Sequence, residues 1–144
     1  MNNDPYNLRR FLEAQAVNYD DALAELKAGE KRSHWMWYIF PQYKGLGMSR
    51  MSQKYAIRSL DEARAYLEHP ILGDRLLECS ETVLSIDDCS AYDIFGSPDD
   101  LKLHSCATLF AVVSPPDSLF MQILDRFYNG EKDRQTLDLL GIEA

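Results

Sequence analysis

The sequence lacks the motifs of the common metal and cofactor sites. It contains no CxxC, HxxxH or HExxH pattern, no dinucleotide fingerprint with three spaced glycines, and no P-loop. Its histidines, His34, His69 and His104, are widely separated, and its three cysteines do not cluster. We therefore expect neither a metal nor a cofactor.

Long apolar runs are absent as well. No stretch approaches the length needed to span a membrane, and the first residues, MNNDPYNLRR, lack the apolar core of a signal peptide. Cys79, Cys89 and Cys106 leave one cysteine over from any disulfide, so we expect reduced and mostly buried thiols. These features predict a cytoplasmic protein with no membrane partner.

Positive charge is in short supply, because 15 basic residues against 23 acidic ones give a formal net charge of −8. The protein as a whole therefore repels nucleic acid, and we expect no nucleic-acid partner. Apolar residues make up 46% and charged residues 26% of the 144 residues, as in ordinary globular proteins. A chain of this length fits one domain, which buries roughly 70% of its unfolded surface.

Apolar residues recur every three or four positions, which favours helices over strands. Helix starts are marked by a capping box at Ser59 and Glu62 and by the run from Ser97 to Asp100. We predict an all-α fold, a compact single domain over residues 1–144 with about eight short-to-medium helices and little or no strand. The predicted helices lie near residues 8–16, 20–28, 33–40, 49–57, 60–68, 70–85, 98–113, 117–128 and 134–140.

Acidic residues are missing altogether from Lys31 to Leu60. The segment carries six basic residues, whereas the other 114 residues carry nine basic and all 23 acidic ones. The six are Lys31, Arg32, Lys44, Arg50, Lys54 and Arg58. Together with both tryptophans and a loop containing Gly45 and Gly47, they resemble the ingredients of an anion pocket. In the alternative interpretation the rings are core and the cations are solvated or paired.

His34 is the sharpest candidate for chemistry in this segment. It follows Ser33, which we expect to cap a short helix, and two nearby tryptophans can tune its pKa for acid–base work. The alternative is a buried histidine satisfied by a backbone hydrogen bond. Residues 93–105 form a second candidate wall, in which Asp93 or Asp99 can assist proton transfer. Asp99 also suits plain helix capping.

The run from Ser33 to Gln42, SHWMWYIFPQ, is the most specific of several blocks that resemble a known family. The other blocks are Gly45–Gly47, Ser49, Tyr55–Ile57, Glu62–Ala63, Tyr66–Leu67, His69–Pro70, Leu72–Gly73, Ile94–Gly96, Asp99, Lys102–Leu103 and Thr108–Phe110. Over about Leu8 to Leu140 the chain resembles the bacterial and fungal family called domain of unknown function 1810. The calpastatin label that some members carry does not suit this chain, which is neither repetitive nor disordered in composition.

The resemblance implies a compact, mainly α-helical single domain for which no activity is established. It also implies that several polar and aromatic residues belong to one constellation. These residues are His34, Trp37, Gln42, Ser49, Tyr55, Asp99 and Lys102.

Two hypotheses for the function follow. In the first, a small-molecule-binding protein or enzyme takes an anionic, nucleotide-like or phosphorylated ligand in a concave pocket between residues 33–55 and 93–105. Its ligand-binding candidates are Trp35, Trp37, Gln42, Lys44, Ser49, Arg50, Lys54, Tyr55 and Lys102, and its catalytic candidates are His34, Asp93 and Asp99. In the second, a helical interaction module binds a protein partner of unknown identity through the same basic and aromatic face. That hypothesis predicts an exposed patch centred on a tryptophan or tyrosine.

Overall fold

The fold, given by a computed structural model that describes residues 4–142, confirms the all-α prediction. Within that range there are nine helices and no strand, and one isolated bridge joins Tyr43 to Ile57. The helices are α1 (Arg9–Lys27), α2 (Met36–Ile39), α3 (Arg50–Lys54), α4 (Leu60–Glu68), α5 (Leu72–Ser85), α6 (Ala91–Phe95), α7 (Asp99–Val112), α8 (Leu119–Tyr128) and α9 (Arg134–Leu140). The ends of the predicted 1–144 domain, residues 1–3 and 143–144, lie outside the described range.

Helix α7 lies at the centre of the molecule. Leu103 and the unbroken run 105–111 are buried, because α4, α6, α8 and α9 all contact this helix. A helix that is covered on all sides shows no amphipathic stripe, and over residues 105–111 the buried side chains of α7 point in every direction around the helix. Its first turn reaches the surface, where Leu101 is exposed and Lys102 is half-buried, and His104 and Val112 are also partly exposed.

The first two predicted helices, near residues 8–16 and 20–28, are one continuous helix, so the predicted break at Asp20 is wrong. Asp20 is exposed, whereas Tyr19 and Ala22 on either side of it are buried. The buried positions of α1 continue through that point at intervals of three and four, from Phe11 to Leu26. The packing stripe therefore outweighs the tendency of aspartate to cap helices.

The loop between α2 and α3 returns to the body of the protein through two backbone hydrogen bonds. Lys44 N–H donates to the carbonyl of Ile57 at 2.9 Å, and Ile57 N–H donates to the carbonyl of Gln42 at 2.9 Å. Gly45 has a φ of +95°, and a side chain on Gly47 would overlap Ser52. The two glycines are thus required by backbone conformation and by close approach, respectively.

The approach to α7 differs from the predicted one. Ser97 does not cap the helix; instead Pro98 precedes its first residue, and no side chain caps it. The preceding segment forms α6, a short helix that was not predicted. This helix begins with a capping box between Ser90 and Asp93. Gly96 ends α6 with a φ of +70°. After this sharp turn, the start of α7 faces the loop between α2 and α3.

The three cysteines are free, with Cys79 and Cys106 buried and Cys89 partly exposed. Both buried thiols have a raised pKa, because burial disfavours the thiolate. Among residues 4–142, no helix combines the length and the apolar character that crossing a membrane requires.

Candidate functional site

Glu25, on α1, forms hydrogen bonds with the start of the acid-free segment, residues 31–60. Its carboxylate accepts hydrogen bonds from the backbone of Arg32 at 2.6 Å, from Ser33 and from the indole Nε1 of Trp35 at 3.0 Å. Burial acts to raise the pKa of Glu25, but the bonds from Ser33, Arg32 and Trp35 outweigh it and lower that pKa to about 2. Ser33 therefore donates its hydrogen bonds to Glu25 and does not cap α2, contrary to the prediction.

The rings of this segment divide into core and surface. Trp35 is 1% exposed and packs against Phe40 and Phe95, and Tyr55 is buried between Phe11 and Tyr38. These two rings have no face to offer a ligand. Trp37, in contrast, is half-buried and carries the Nζ of Lys102 5.3 Å above its ring.

A cluster of two lysines and one aspartate joins the segment to α7. The carboxylate of Asp99 lies 2.8 Å from Lys31 Nζ and 3.5 Å from Lys102 Nζ. The side chain of Lys31 is 8% exposed and that of Lys102 is 21% exposed. Two ammonium groups share one carboxylate, so this partly buried cluster has a net charge of +1.

A cavity of about 260 Å³ opens beside Lys102, between the loop after α2 and the first turns of α7. We call it the Gln42–Lys102 cavity. Its lining residues are Gln42, Leu46, Gly47, Pro98, Leu101, Lys102, Ser105 and Gln135. The side-chain amides of Gln42 and Gln135 form no hydrogen bond with any residue of the described range. Ser105 Oγ already donates to Asp133 at 2.7 Å.

A second hollow, of about 510 Å³, lies at α3 and is lined by Arg50, Gln53, Lys54 and Arg58. We call it the basic groove. All four side chains are exposed. Arg50 and Lys54 thus line a different hollow from Gln42 and Lys102, and Lys44 is exposed and lines neither. Of the predicted ligand-binding residues, two line the Gln42–Lys102 cavity and two line the basic groove, and the others line neither.

The predicted catalytic residues do not converge on the cavity. His34 is exposed, and its imidazole makes no hydrogen bond with a residue in the range 4–142. Asp93 is occupied by the capping box, in which its carboxylate accepts from Ser90 N–H at 3.0 Å. Asp99 is held between two lysines. None of the three lines the Gln42–Lys102 cavity.

Ser49 has a structural task. Its hydroxyl accepts from the backbone N–H of Ser52 at 3.1 Å and caps α3, as its position before that helix predicted. Within the described part of the chain, no group of three or more His, Cys, Asp or Glu side chains is arranged to hold a metal ion.

Two of the residues that line these hollows, Arg58 and Gln135, lie outside the predicted walls, residues 33–55 and 93–105. Arg58 follows Arg50 and Lys54 at intervals of four, but it lies between the end of α3 at Lys54 and the start of α4 at Leu60, so helical spacing does not account for its place in the groove. Gln135 gave no local signal, because it reaches the cavity from α9, which contacts α7 across a long sequence separation.

The fold and the cavity define a small all-α protein with a candidate binding site for a small ligand. The chain belongs to the family described as "Protein of unknown function (DUF1810)", whose family model matches residues 5–140. The solved structure of the conserved hypothetical protein Rv1873 from Mycobacterium tuberculosis is similar to it, with 48% sequence identity, coverage of 97% of this chain and 100% of that chain, and a TM-score of 0.94. No curated protein matches the chain significantly. The resemblance stated from the sequence is confirmed.

Proposed function

We propose that the protein binds a small monoanionic molecule in the Gln42–Lys102 cavity. The observation that carries the proposal is the convergence of a lysine and two unpartnered amides on one cavity, with Lys102 on α7 facing Gln42 in the loop and Gln135 on α9. Convergent polar groups in a concave, partly apolar site are the usual mark of ligand binding. Leu46 and Leu101 supply the apolar part of the lining.

The charge of the ligand follows from the cluster around Asp99. Lys31 and Lys102 bring two positive charges to one carboxylate, and burial makes an uncompensated charge costly. A single negative charge next to Lys102, such as a carboxylate, would balance the cluster, whereas a phosphate monoester carries about −1.5 to −2 at neutral pH and would exceed it. The volume of about 260 Å³ lies just below the roughly 300–1,000 Å³ of drug-sized pockets, so the ligand is small.

The burial of Trp35 and Tyr55 favours this proposal over a protein-interaction module. Such a module needs an exposed aromatic centre. Trp35 is packed among phenylalanines, and Tyr55 packs between α1 and α2. Trp37 does reach the surface, but it is half-buried and lies under Lys102, so it offers a protein partner less apolar surface than a fully exposed aromatic centre.

The proposal is tested by thermal-shift measurements with a panel of small monocarboxylates, and with monophosphates as the comparison that carries more negative charge. A ligand at about 100 times its Kd stabilises the native state by roughly 2.7 kcal/mol, which raises the melting temperature by several degrees. Lys102→Met and Gln42→Ala should abolish that rise, each measured against its own ligand-free baseline. Lys44→Met is the matched control, because Lys44 is an exposed lysine of the same segment outside the cavity. A ligand that stabilises Lys102→Met as strongly as wild type would contradict the proposal.

A further inference from the structure

We infer that the basic groove is a second, separate site, which binds a diphosphate group. The inference goes beyond the proposed function, because the residues that carry it line neither wall of the Gln42–Lys102 cavity. It depends on three cations, Arg50, Lys54 and Arg58, and on the scaffold that holds them.

The three cations have no counter-charge. Among the residues that the structure describes, no carboxylate lies within 4.0 Å of the charged nitrogens of Arg50, Lys54 or Arg58. Lys54 and Arg58 also line a neighbouring hollow together with Arg10 and Glu62, and there Glu62 is already bound to Arg10 at 2.7 Å. The groove therefore concentrates three positive charges on a protein whose net charge is −8.

The scaffold is built by Arg10, whose guanidinium has no donor left for a ligand. Nε donates to the carbonyl of Lys54, Nη1 donates to two carbonyls before α1, and Nη2 donates to the carbonyl of Ala56 and to Glu62. A guanidinium has five N–H groups, and all five are used here. Arg10 thus stabilises the wall of the groove, and its charge is cancelled by Glu62.

This scaffold fixes the backbone on which two of the free cations stand. Lys54 is held through its carbonyl at 2.8 Å from Arg10 Nε, and Arg58 is held through its N–H, which donates to Glu62 at 3.1 Å. Arg50 lies four residues before Lys54 on α3 and shares its face. A ligand therefore meets a preorganised backbone, so binding orders only the side chains.

The ligand chemistry follows from the number and type of the cations. Guanidinium groups bind phosphate oxygens in a bidentate fork, and the groove offers two of them with a lysine between them in sequence. A diphosphate, with two or three negative charges, can engage all three cations. A single phosphate would leave part of the positive charge unbalanced. At about 510 Å³ the hollow has room for a diphosphate.

A compact anion fits the groove better than a nucleic-acid strand does. Outside residues 31–60 the chain carries nine basic and 23 acidic residues, so a long polyanion would leave the groove onto a repulsive surface. At physiological ionic strength charges are screened beyond about 8 Å. A diphosphate therefore experiences the three cations and little of the surrounding negative charge.

The test is isothermal titration calorimetry with inorganic pyrophosphate and with ADP, at low and at physiological ionic strength. We expect wild type to bind both, phosphate to bind much more weakly, and Arg50→Gln or Arg58→Gln to weaken pyrophosphate binding about tenfold. Lys44→Gln is the matched control and should leave the affinity unchanged. If ADP binds more tightly than pyrophosphate, the diphosphate that the groove binds belongs to a nucleotide. If the two bind equally, the groove recognises the diphosphate alone.

Three outcomes would overturn the inference: no binding of either diphosphate by wild type, an equal loss of affinity in Lys44→Gln, or tighter binding of a single-stranded oligonucleotide than of pyrophosphate. Amide chemical-shift changes in the wild type on adding pyrophosphate serve as a second measurement, independent of how well a variant folds. They should centre on residues 50–58. Gln42→Ala should bind pyrophosphate like wild type, so failure of the cavity proposal and failure of this one are distinguishable.

Discussion

Two groups of cations lie in one acid-free segment or pack against it, in opposite environments. Lys31 is buried against Asp99, which it shares with Lys102 from α7. Arg50, Lys54 and Arg58 are exposed and have no carboxylate partner in the range 4–142. The first group stabilises the junction between the segment and α7, whereas the second group is available to a ligand.

The comparison shows that whether a cation is structural or free to bind a ligand depends more on its carboxylate partner than on its place in the sequence. Glu62 neutralises Arg10 beside the basic groove, so that one of the four cations near α3 is structural and the other three are not. Within the cluster at Asp99 the balance is incomplete, because two lysines share one carboxylate. The predictions below separate the two environments, beginning with the largest expected effect.

The strongest contrast is between Arg10 and Arg58, which both line the hollow next to the basic groove. Arg10→Met leaves Glu62 buried without its cation and frees several backbone carbonyls, so we expect the free energy of unfolding to fall by about 3–5 kcal/mol. Urea denaturation measures the loss. The side chains of Arg10 and Glu62 are 9% and 3% exposed, which is why solvent cannot replace the pair.

Arg58→Met is the matched control, and its effect should stay within roughly 0.5 kcal/mol, as at other exposed positions. A second check is the double variant Arg10→Met/Glu62→Gln, which should recover part of the lost stability because the unpaired buried charge is gone. Equal destabilisation by Arg10→Met and Arg58→Met would remove the distinction between structural and available cations.

The second contrast is between Asp99 and an exposed aspartate. Asp99→Ala leaves Lys31 and Lys102 close together without a carboxylate, and Lys31 is nearly inaccessible to water. We expect a loss of about 2–3 kcal/mol in urea denaturation, below the full value for a buried pair because Asp99 is partly exposed.

Asp61→Ala provides the comparison, since Asp61 pairs with Arg64 at 3.1 Å on the open surface. Exposed pairs contribute about 0–1 kcal/mol, so this variant should unfold close to wild type. If Asp99→Ala were as stable as Asp61→Ala, the cluster at α7 would not hold the segment in place.

Most helices could be predicted from the sequence, because their caps and apolar spacing are local. The hydroxyl of Ser59 accepts from Glu62 N–H at 3.0 Å, as the capping box predicted. The Glu62 side chain, however, turns to Arg10 and to the backbone of Arg58. The signal for α6 was present in the spacing of Ser90 and Asp93 but was not used. Local rules therefore identified helix starts better than side-chain partners.

The candidate site could be predicted only in part, for the same reason. A cavity does lie between the loop that follows Gln42 and the start of α7. Which residues enter it depends on contacts across the fold: Trp35 is drawn inward by Phe95 and Glu25, and Gln135 arrives from α9. The composition of the segment gave the number of cations correctly, but the carboxylates that pair with two of them, Asp99 with Lys31 and Glu30 with Arg32, come from outside it.

The smallest expected effect tests whether a carboxylate can stabilise the fold through hydrogen bonds alone, without a cationic partner. Glu25 is held by backbone N–H groups, a hydroxyl and an indole, with no ion pair within the range 4–142. Glu25→Gln retains an acceptor oxygen but loses the charge. Glu25 is partly exposed, and solvent screens most of the charge effect, so at neutral pH we expect a loss of about 1 kcal/mol, which lowers the melting temperature by roughly 3 °C.

The pH dependence distinguishes this loss from a packing defect. The pKa of Glu25 falls from 4.5 to about 2 on folding, so its ionised form stabilises the native state fully above pH 4.5. That contribution disappears as the pH falls through about 2, because the folded state then binds the same proton. The melting temperatures of wild type and Glu25→Gln should therefore converge between pH 4.5 and 2. Glu13→Gln, which alters an exposed carboxylate on the same helix, should show no such convergence. A gap of constant size at every pH would mean that shape, rather than charge, makes Glu25 hold Trp35 in place.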